Sequence, residues 1–338
     1  MEPIDLVTGA SGFLGGNLER VLAGRGQRVR ILVRRRSRTD LLDDLPGIEK
    51  VEGDVTSLPS LQRAMAGVRF VYHCAANVTI AKQMTDAVWQ TNVWGTENVV
   101  EAARGASVGR LVFCSTVDAI GVPEGDRPAD EGTPWNWDRL GVENAYARSK
   151  FEAQQLVLRA AANGLDAVVA CPTYILGAYD AKPSSGRLIV ACARNWALPR
   201  LPGGNNFVDV LDVAEGMVVA AERGRRGDVY ILGNANLPYT EVHEMIAAAV
   251  GRRPRLVAVP RWLALLAGNV GDGLERRRPG KVPISSTIVR LSYLNHYYDP
   301  AKAVRELGLS RRPVAGAIER AVAWFRQTGL LPRPPPAA

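Results

Sequence analysis

The stretch from Ile4 to Asn17, IDLVTGASGFLGGN, decides the fold: an apolar run passes straight into a glycine-rich turn and then into a helical pattern. Gly9, Gly12 and Gly15 fall at G-x-x-G-x-x-G spacing between the two. A turn of this kind serves three needs: a sharp reversal, a backbone bare enough for a pyrophosphate to approach, and helix N-terminal N–H groups aimed at its charge. A strand before and a helix after are the context in which the triplet signifies dinucleotide binding, with Ser11, Phe13 and Leu14 in the same loop. The competing reading is a tight turn without a ligand.

Outward from this turn, short runs rich in Val, Ile and Leu (VRILVR, RFVYHCAA, RLVFCST, AVVACPTYILG) alternate with helical patterns beginning near Leu14, Leu58, Met84 and Ala145. Strands apolar throughout, with helices between them, predict an α/β fold: a doubly wound parallel sheet of Rossmann type, covered on both faces. After Gly177 the rhythm breaks into a Pro/Gly/Asn-rich loop (LPRLPGGNN), a short strand and helix (FVDVLDVAEGMVVAAERG), one more apolar strand at Asp228 to Gly233, and helices ending with Val314 to Thr328. This suggests a smaller, discontinuous α/β substrate domain over the carboxyl edge of the sheet, where open α/β sheets bind ligands. The expected division is residues 1–173 plus 206–234 for the nucleotide, 174–205 plus 235–330 for the substrate, and a proline-rich tail at 331–338.

The 338 residues suffice for a substantial core, and 47% apolar with 22% charged residues is an ordinary globular composition. The four cysteines are scattered without a C-x-x-C pair and read as reduced, as in a cytoplasmic protein; the three histidines lack metal-ligand spacing, so no metal is expected. The chain enters a strand almost at once, leaving no room for a secretory signal, and no apolar run reaches the ~20 residues of a membrane span. A net charge of +8 invites a nucleic-acid reading, but the basic groups are short, separate and free of interleaved aromatics. No nucleic-acid partner is expected. The segment 256–281, LVAVPRWLALLAGNV followed by a run of arginines, reads as a buried helix, a lid, or a surface in peripheral contact with membrane.

About 20 residues past the glycine loop, an NAD site offers Asp or Glu to the ribose 2′-hydroxyl. This chain has Arg34, Arg35 and Arg36 there, which favours NADP over NAD because a guanidinium can hold the 2′-phosphate. Asp54, in EGDVTS, is a candidate partner for the adenine amino group or an acid of a helix N-cap. Farther on, NAYARSK at Asn144 to Lys150 places Tyr146 and Lys150 one helical turn apart, as an acid/base pair or two polar residues on a solvated face. The strand RLVFCST ends in two hydroxyls, Ser115 and Thr116.

TGASGFLG, GDV, HCAA, NVWGTENV, FCSTVDAIG, YARSK, CPTYILG and VLDVAEG occur in an order that resembles the extended short-chain dehydrogenase/reductases over essentially the whole chain. The chain is most similar to the branch of dihydroflavonol reductase-like and 3β-hydroxysteroid dehydrogenase-like proteins, and especially to the HpnA-type hopanoid-associated proteins. The resemblance implies that Tyr146 donates or accepts the proton, that Lys150 supports it and holds the nicotinamide ribose, and that Thr116 binds the substrate oxygen with Ser115 behind it. It implies cofactor contacts at Val55, Ala75, Ala76, Asn92, Pro172 and Thr173, and homodimerisation through the helices near 92–103 and 146–162. Asn77, Thr116, Trp137, Tyr174 and Phe207 are the expected substrate contacts; Asp118 is a loop residue or, as in some relatives, reaches the substrate.

Three functions stay open. The first is hydride transfer between NADP(H) and a ketone or secondary alcohol of a hydrophobic, flavonoid-, steroid- or terpenoid-like small molecule. The second is an NDP-sugar epimerase or dehydratase with tightly bound NAD. Epimerases carry an Arg-Asp-Phe-type clamp for the sugar diphosphate, where this chain has Asn205 and Asn206. The third is an NADP-binding sensor or scaffold without turnover.

Overall fold

The computed structural model describes residues 3–332 except 44, 81, 126 and 278–283. Most of the proline-rich tail and part of the arginine run after Leu274 therefore lie outside the described residues. In chain order, β1 (Ile4–Thr8), α1 (Phe13–Gly24), β2 (Arg28–Val33), β3 (Ile48–Glu52), α2 (Leu58–Met65) and β4 (Val68–His73) come first. They are followed by α3 (Asp86–Trp89), a π-helical turn (Gln90–Trp94), α4 (Gly95–Gly105), β5 (Arg110–Cys114), α5 (Ala145–Ala162) and β6 (Ala167–Pro172). The second half contains β7 (Tyr174–Leu176), α6 (Arg187–Arg194), β8 (Ala197–Pro199), β9 (Gly204–Asp209), α7 (Val210–Arg223), β10 (Val229–Leu232), β11 (Ala235–Pro238) and α8 (Tyr239–Val250). It closes with β12 (Arg255–Val257), α9 (Arg261–Arg277), α10 (Ser286–Leu291), β13 (Asn295–His296), α11 (Ala301–Leu307) and α12 (Val314–Gln327).

Seven strands form one parallel sheet in the order β10-β6-β5-β4-β1-β2-β3. This is the expected doubly wound architecture. Every residue of β1 and β6 is buried, as strands covered on both faces must be. Residues of α1 and α7 pack on one face and residues of α2, α4 and α5 on the other. The chain reverses direction across the sheet between β1 and β4, opening a crevice at their carboxyl ends.

A smaller sheet is built around β9, which pairs with β7 and β13 in parallel and with β11 antiparallel. The expected boundary at Asn206 cuts through this strand. Its partners all belong to the small sheet, whereas α7, which follows directly, returns to the large one. Arg312 and Arg320 bind Asp212 and Asp209 at the start of α7, tying the C-terminal region to the joint.

One residue of α1 conflicts with its surroundings. Glu19 is fully buried and neither carboxylate oxygen has a partner among the described residues. Burial pushes its carboxyl well above the ordinary range, against a weaker opposing pull from Arg20. Because the folded state holds this proton more tightly than the unfolded chain, stability declines as pH rises above the unfolded value of 4.5 and levels off above the folded one. In Glu19→Gln this component is absent. Urea unfolding at pH 5 and pH 8 should then show the variant gaining roughly 1–3 kcal/mol on the wild type between the two values; an unchanged gap between them would contradict the assignment.

Candidate active site

At the end of β1 the chain turns through Gly9 in the left-handed region, at φ 75°, and a Cβ there would sit 2.6 Å from the Ala75 nitrogen. Only glycine meets both demands. A Cβ on Gly15 would run into the Gly9 carbonyl, so the helix packs directly on the turn. The α1 N-cap is Gly12, which has no side chain to satisfy the first-turn N–H groups. Ser11 and Gly12 are exposed and Phe13 and Leu14 half-buried around this bare end, a cradle suited to a pyrophosphate.

Beyond β2, Arg34 closes a tight turn: its N–H donates to the Ser37 hydroxyl at 3.1 Å, and its carbonyl accepts from Ser37 N at 2.8 Å. Arg38 is held by Asp40, but Arg34, Arg35 and Arg36 are exposed and have no acidic partner among the described residues. At the end of β3, Asp54 Oδ1 accepts both the N–H and the hydroxyl of Thr56 at 2.9 Å. The carboxylate thus shapes the entry to α2, while Oδ2 has no partner among the described residues. Val55 is buried against Gly95. On the far side of the crevice, Pro172 ends β6, and the Thr173 hydroxyl is buried with no partner among the described residues.

The residues near Tyr146 gather at the carboxyl ends of β4 and β5. Asn144 caps α5, its side chain accepting from Ala147 N at 3.2 Å, so the first turn presents Tyr146 and the second Lys150. Lys150 is 2% exposed, donates to the Cys114 carbonyl at 2.7 Å and lies over the Phe113 ring at 4.2 Å. Burial lowers the pKa of its ammonium. The Tyr146 phenol is pushed up by burial and further by Asp118, with the adjacent Thr116 hydroxyl pulling down. The protein therefore holds Tyr146 protonated.

The two hydroxyls after β5 differ in what they have left to offer. Ser115 donates its proton to Gln154 Oε1 at 2.7 Å and so has none left to offer. Thr116 Oγ1 accepts from Asp118 N at 3.2 Å, leaving its proton available. Asp118 follows in the same turn, close to Tyr146, Tyr239 and Tyr298, each of whose phenols its charge pushes up. Burial in turn raises Asp118 to about 6.

A buried polar chain supports the floor. Thr96 donates to the Asn92 carbonyl at 2.7 Å, so at 3.1 Å from His73 Nε2 it can only accept. His73 Nδ1 then accepts from Thr8 at 2.7 Å, and Thr8 Oγ1 accepts from Ala75 N at 3.3 Å. Burial, aided by Lys150, brings His73 down to about 3, so it remains neutral. Asn92 sits in the π-helical turn; its amide binds the Asn77 backbone at 2.7 and 3.0 Å and donates to the Ser149 hydroxyl at 2.8 Å. Asn92 thus couples the Ala75–Asn77 segment to the residue beside Lys150.

The expected substrate residues divide. Thr116 and Asn77 lie at the crevice. Trp137 is 1% exposed with its indole N–H donated to the Ile120 carbonyl, and Phe207 is fully buried between Tyr174 and Tyr239. Both are packing residues, and Tyr174 turns its hydroxyl to the Ser185 carbonyl. The apolar groups exposed beside the crevice are Val78, Ile80 and Met84, on a loop tied to Asn92 through Asn77 and to Glu143 through Lys82.

The NAD dependent epimerase/dehydratase family model matches residues 6–233. The chain belongs to this family. It is 36% identical over 332 residues to the putative dihydroflavonol 4-reductase of Synechocystis sp., covering 96% of this chain and 95% of that one. It is 34% identical to sterol demethylase protein B of Methylococcus capsulatus, covering 96% and 99%. Among solved structures, that of gox2253 superposes with a TM-score of 0.84 at 33% identity, covering 98% and 100%. The chain is an enzyme of the extended short-chain dehydrogenase/reductase class, an NAD(P)-dependent oxidoreductase.

Within this family, the cradle at Gly9 and Gly15 and the orphaned Thr173 hydroxyl fit a dinucleotide at opposite ends of the crevice. Gln154 and the π-helical turn carry no motif of their own and were missed from sequence, and Asp118 was read there chiefly as a loop residue. Asp118 makes the phenol's ionisation sensitive to a second group. Removing its charge in Asp118→Asn should let Tyr146 ionise at lower pH, shifting the rise of the alcohol-oxidation rate downward by up to about one pH unit. Below about pH 6, where Asp118 is itself neutral, the two profiles should converge. Parallel pH profiles throughout would show that Asp118 does not act on the phenol.

Proposed function

We propose that this enzyme transfers a hydride between NADP(H) and a ketone or secondary alcohol of a hydrophobic small molecule. The observation that carries the reading is the pairing of a half-buried, protonated Tyr146 with the available hydroxyl of Thr116, beside an apolar rim at Val78, Ile80 and Met84. When bound, the dinucleotide supplies or accepts the hydride. Gly9 to Gly15 would hold its pyrophosphate, Arg34 its 2′-phosphate, Asp54 and Val55 its adenosine, and Ala75, Ala76, Pro172, Thr173 and Lys150 its nicotinamide half. In reduction, Tyr146 gives its proton to the carbonyl oxygen while Thr116 donates a hydrogen bond to the same atom. Lys150, fixed on the Cys114 carbonyl, keeps a positive charge beside the phenolate left behind.

The epimerase reading is disfavoured at the clamp position. Asn206 is fully buried and committed to Asn236, Tyr298 and Asn234, and Asn205 donates to the Tyr239 hydroxyl, so neither supplies the guanidinium a diphosphate clamp uses. Arg187 and Arg200, the possible substitutes, are exposed. We further propose a cytoplasmic homodimer joined through α4 and α5. The nucleotide would be bound by residues up to Thr173 together with α7 and β10, and the substrate by the small sheet and the helices after it.

Cofactor oxidation across polycyclic and long-chain ketones, alongside UDP- and GDP-sugars assayed for isomerised product, tests the reaction type. The expected result is net NADPH oxidation with the ketones and unchanged sugars; isomerised sugar without net oxidation would overturn it. Tyr146→Phe should lower kcat by roughly 10²–10⁴-fold, and unchanged turnover would refute its role. Arg34→Ala should weaken NADPH by about 10-fold or more and NADH far less; equal losses would remove the 2′-phosphate assignment.

A further inference from the structure

Helix α9 packs with its polarity reversed. Trp262, Leu266, Val270 and Leu274 recur every fourth residue, and with Leu263 they form one stripe exposed by 43 to 69%. The opposite side makes the internal contact, through glycines and one acid. A Cβ on Gly268 would lie 2.8 Å from Ser286 Cα, and one on Gly271 would run into the Ile284 carbonyl. Asp272 accepts from both the N–H and the hydroxyl of Ser286. A helix stabilised only by the protein's own core would do the opposite, burying its Leu and Trp side chains and exposing its acid. The apolar surface continues along the preceding chain with Val257 and, beside Arg255, with Trp196, which is 74% exposed.

Charge selects the occupant. Between Gly251 and Leu274, Arg252, Arg255 and Arg261 are exposed with no acidic partner among the described residues, Arg253 is paired with Glu244, and the one acid, Asp272, is bound to Ser286, in a chain whose net charge is +8. Two copies joined through this face would bring these cations together, whereas anionic headgroups would neutralise them. We propose that the exposed stripe of α9, together with Arg252, Arg255 and Arg261, is an interfacial surface that seats the protein on anionic lipid bilayers without crossing them. No helix among the described residues is long and apolar enough to cross one.

The surface is mechanically close to the active site. Thr287, on α10, donates to the Glu143 carbonyl at 2.8 Å, three residues before Tyr146, and Leu291 and Leu294 pack on the cluster of Trp137, Val142 and Ala147. A bilayer under α9 would place the crevice near a reservoir of apolar substrates. That consequence rests on the substrate reading above, whereas lipid binding itself does not.

Cosedimentation of the full chain with vesicles of phosphatidylcholine alone, or mixed with phosphatidylglycerol, tests the proposal. Binding is expected with the anionic vesicles, falling as salt rises, and little with the neutral ones. Leu266→Glu with Val270→Glu should reduce it by about tenfold or more, with thermal unfolding and NADPH affinity unchanged because both side chains are exposed. Failure of the wild type to sediment with anionic vesicles at low salt would overturn the proposal, as would undiminished binding by the double variant. So would light scattering in which the substitutions split an oligomer into monomers while vesicle binding persists, because the stripe would then join two copies.

Discussion

The structure depends on the contact between Gly9 and the backbone of Cys74 and Ala75, so close that no side chain fits between them. It places the turn after β1 against the end of β4, at the point where the sheet reverses direction. The bare end of α1 is thereby aimed across the same crevice into which the end of β5 opens. The Thr8–His73–Thr96–Asn92 chain carries this constraint inward, and Asn92 passes it to Ser149, next to Lys150. The glycine turn proposed to hold the nucleotide and the pair proposed to transfer the proton are therefore joined by one chain of close contacts and hydrogen bonds.

The chemistry follows from how this assembly is buried. A phenol removed from water keeps its proton, and a lysine beside it loses part of its preference for charge unless a carbonyl holds it. The Cys114 carbonyl is that partner. Asp118 adds a second control after burial, since its carboxyl, raised to about 6, adds to the hold on the Tyr146 proton once it ionises.

Much of this was legible from sequence, because the decisive features are local. The glycine turn needs residues at fixed spacing between a strand and a helix, and Tyr146 and Lys150 need only one helical turn. What was not legible is tertiary. A π-helical turn leaves no periodic trace around Asn92, and Asp118 becomes unusual only once buried. Trp137 and Phe207 have the composition of a pocket wall, yet their rings point into the packed interior, and no pattern in the chain distinguishes the two. The boundary expected at Asn206 falls inside β9, which belongs to one sheet, while α7, following without a loop, belongs to the other. The apolar run after Leu256 was visible as a candidate lid, buried helix or membrane surface. Only the glycine contacts with Ile284 and Ser286 reveal that its apolar side faces outward.

The most direct test of the central claim is the fate of the hydride. Incubated with NADPH deuterated at the transferred position and a hydrophobic ketone that it turns over, the enzyme should place one deuterium on the new carbinol carbon for each NADPH consumed, as read by mass spectrometry. Cofactor that keeps its deuterium, or product formed without it, would contradict net hydride transfer to the substrate.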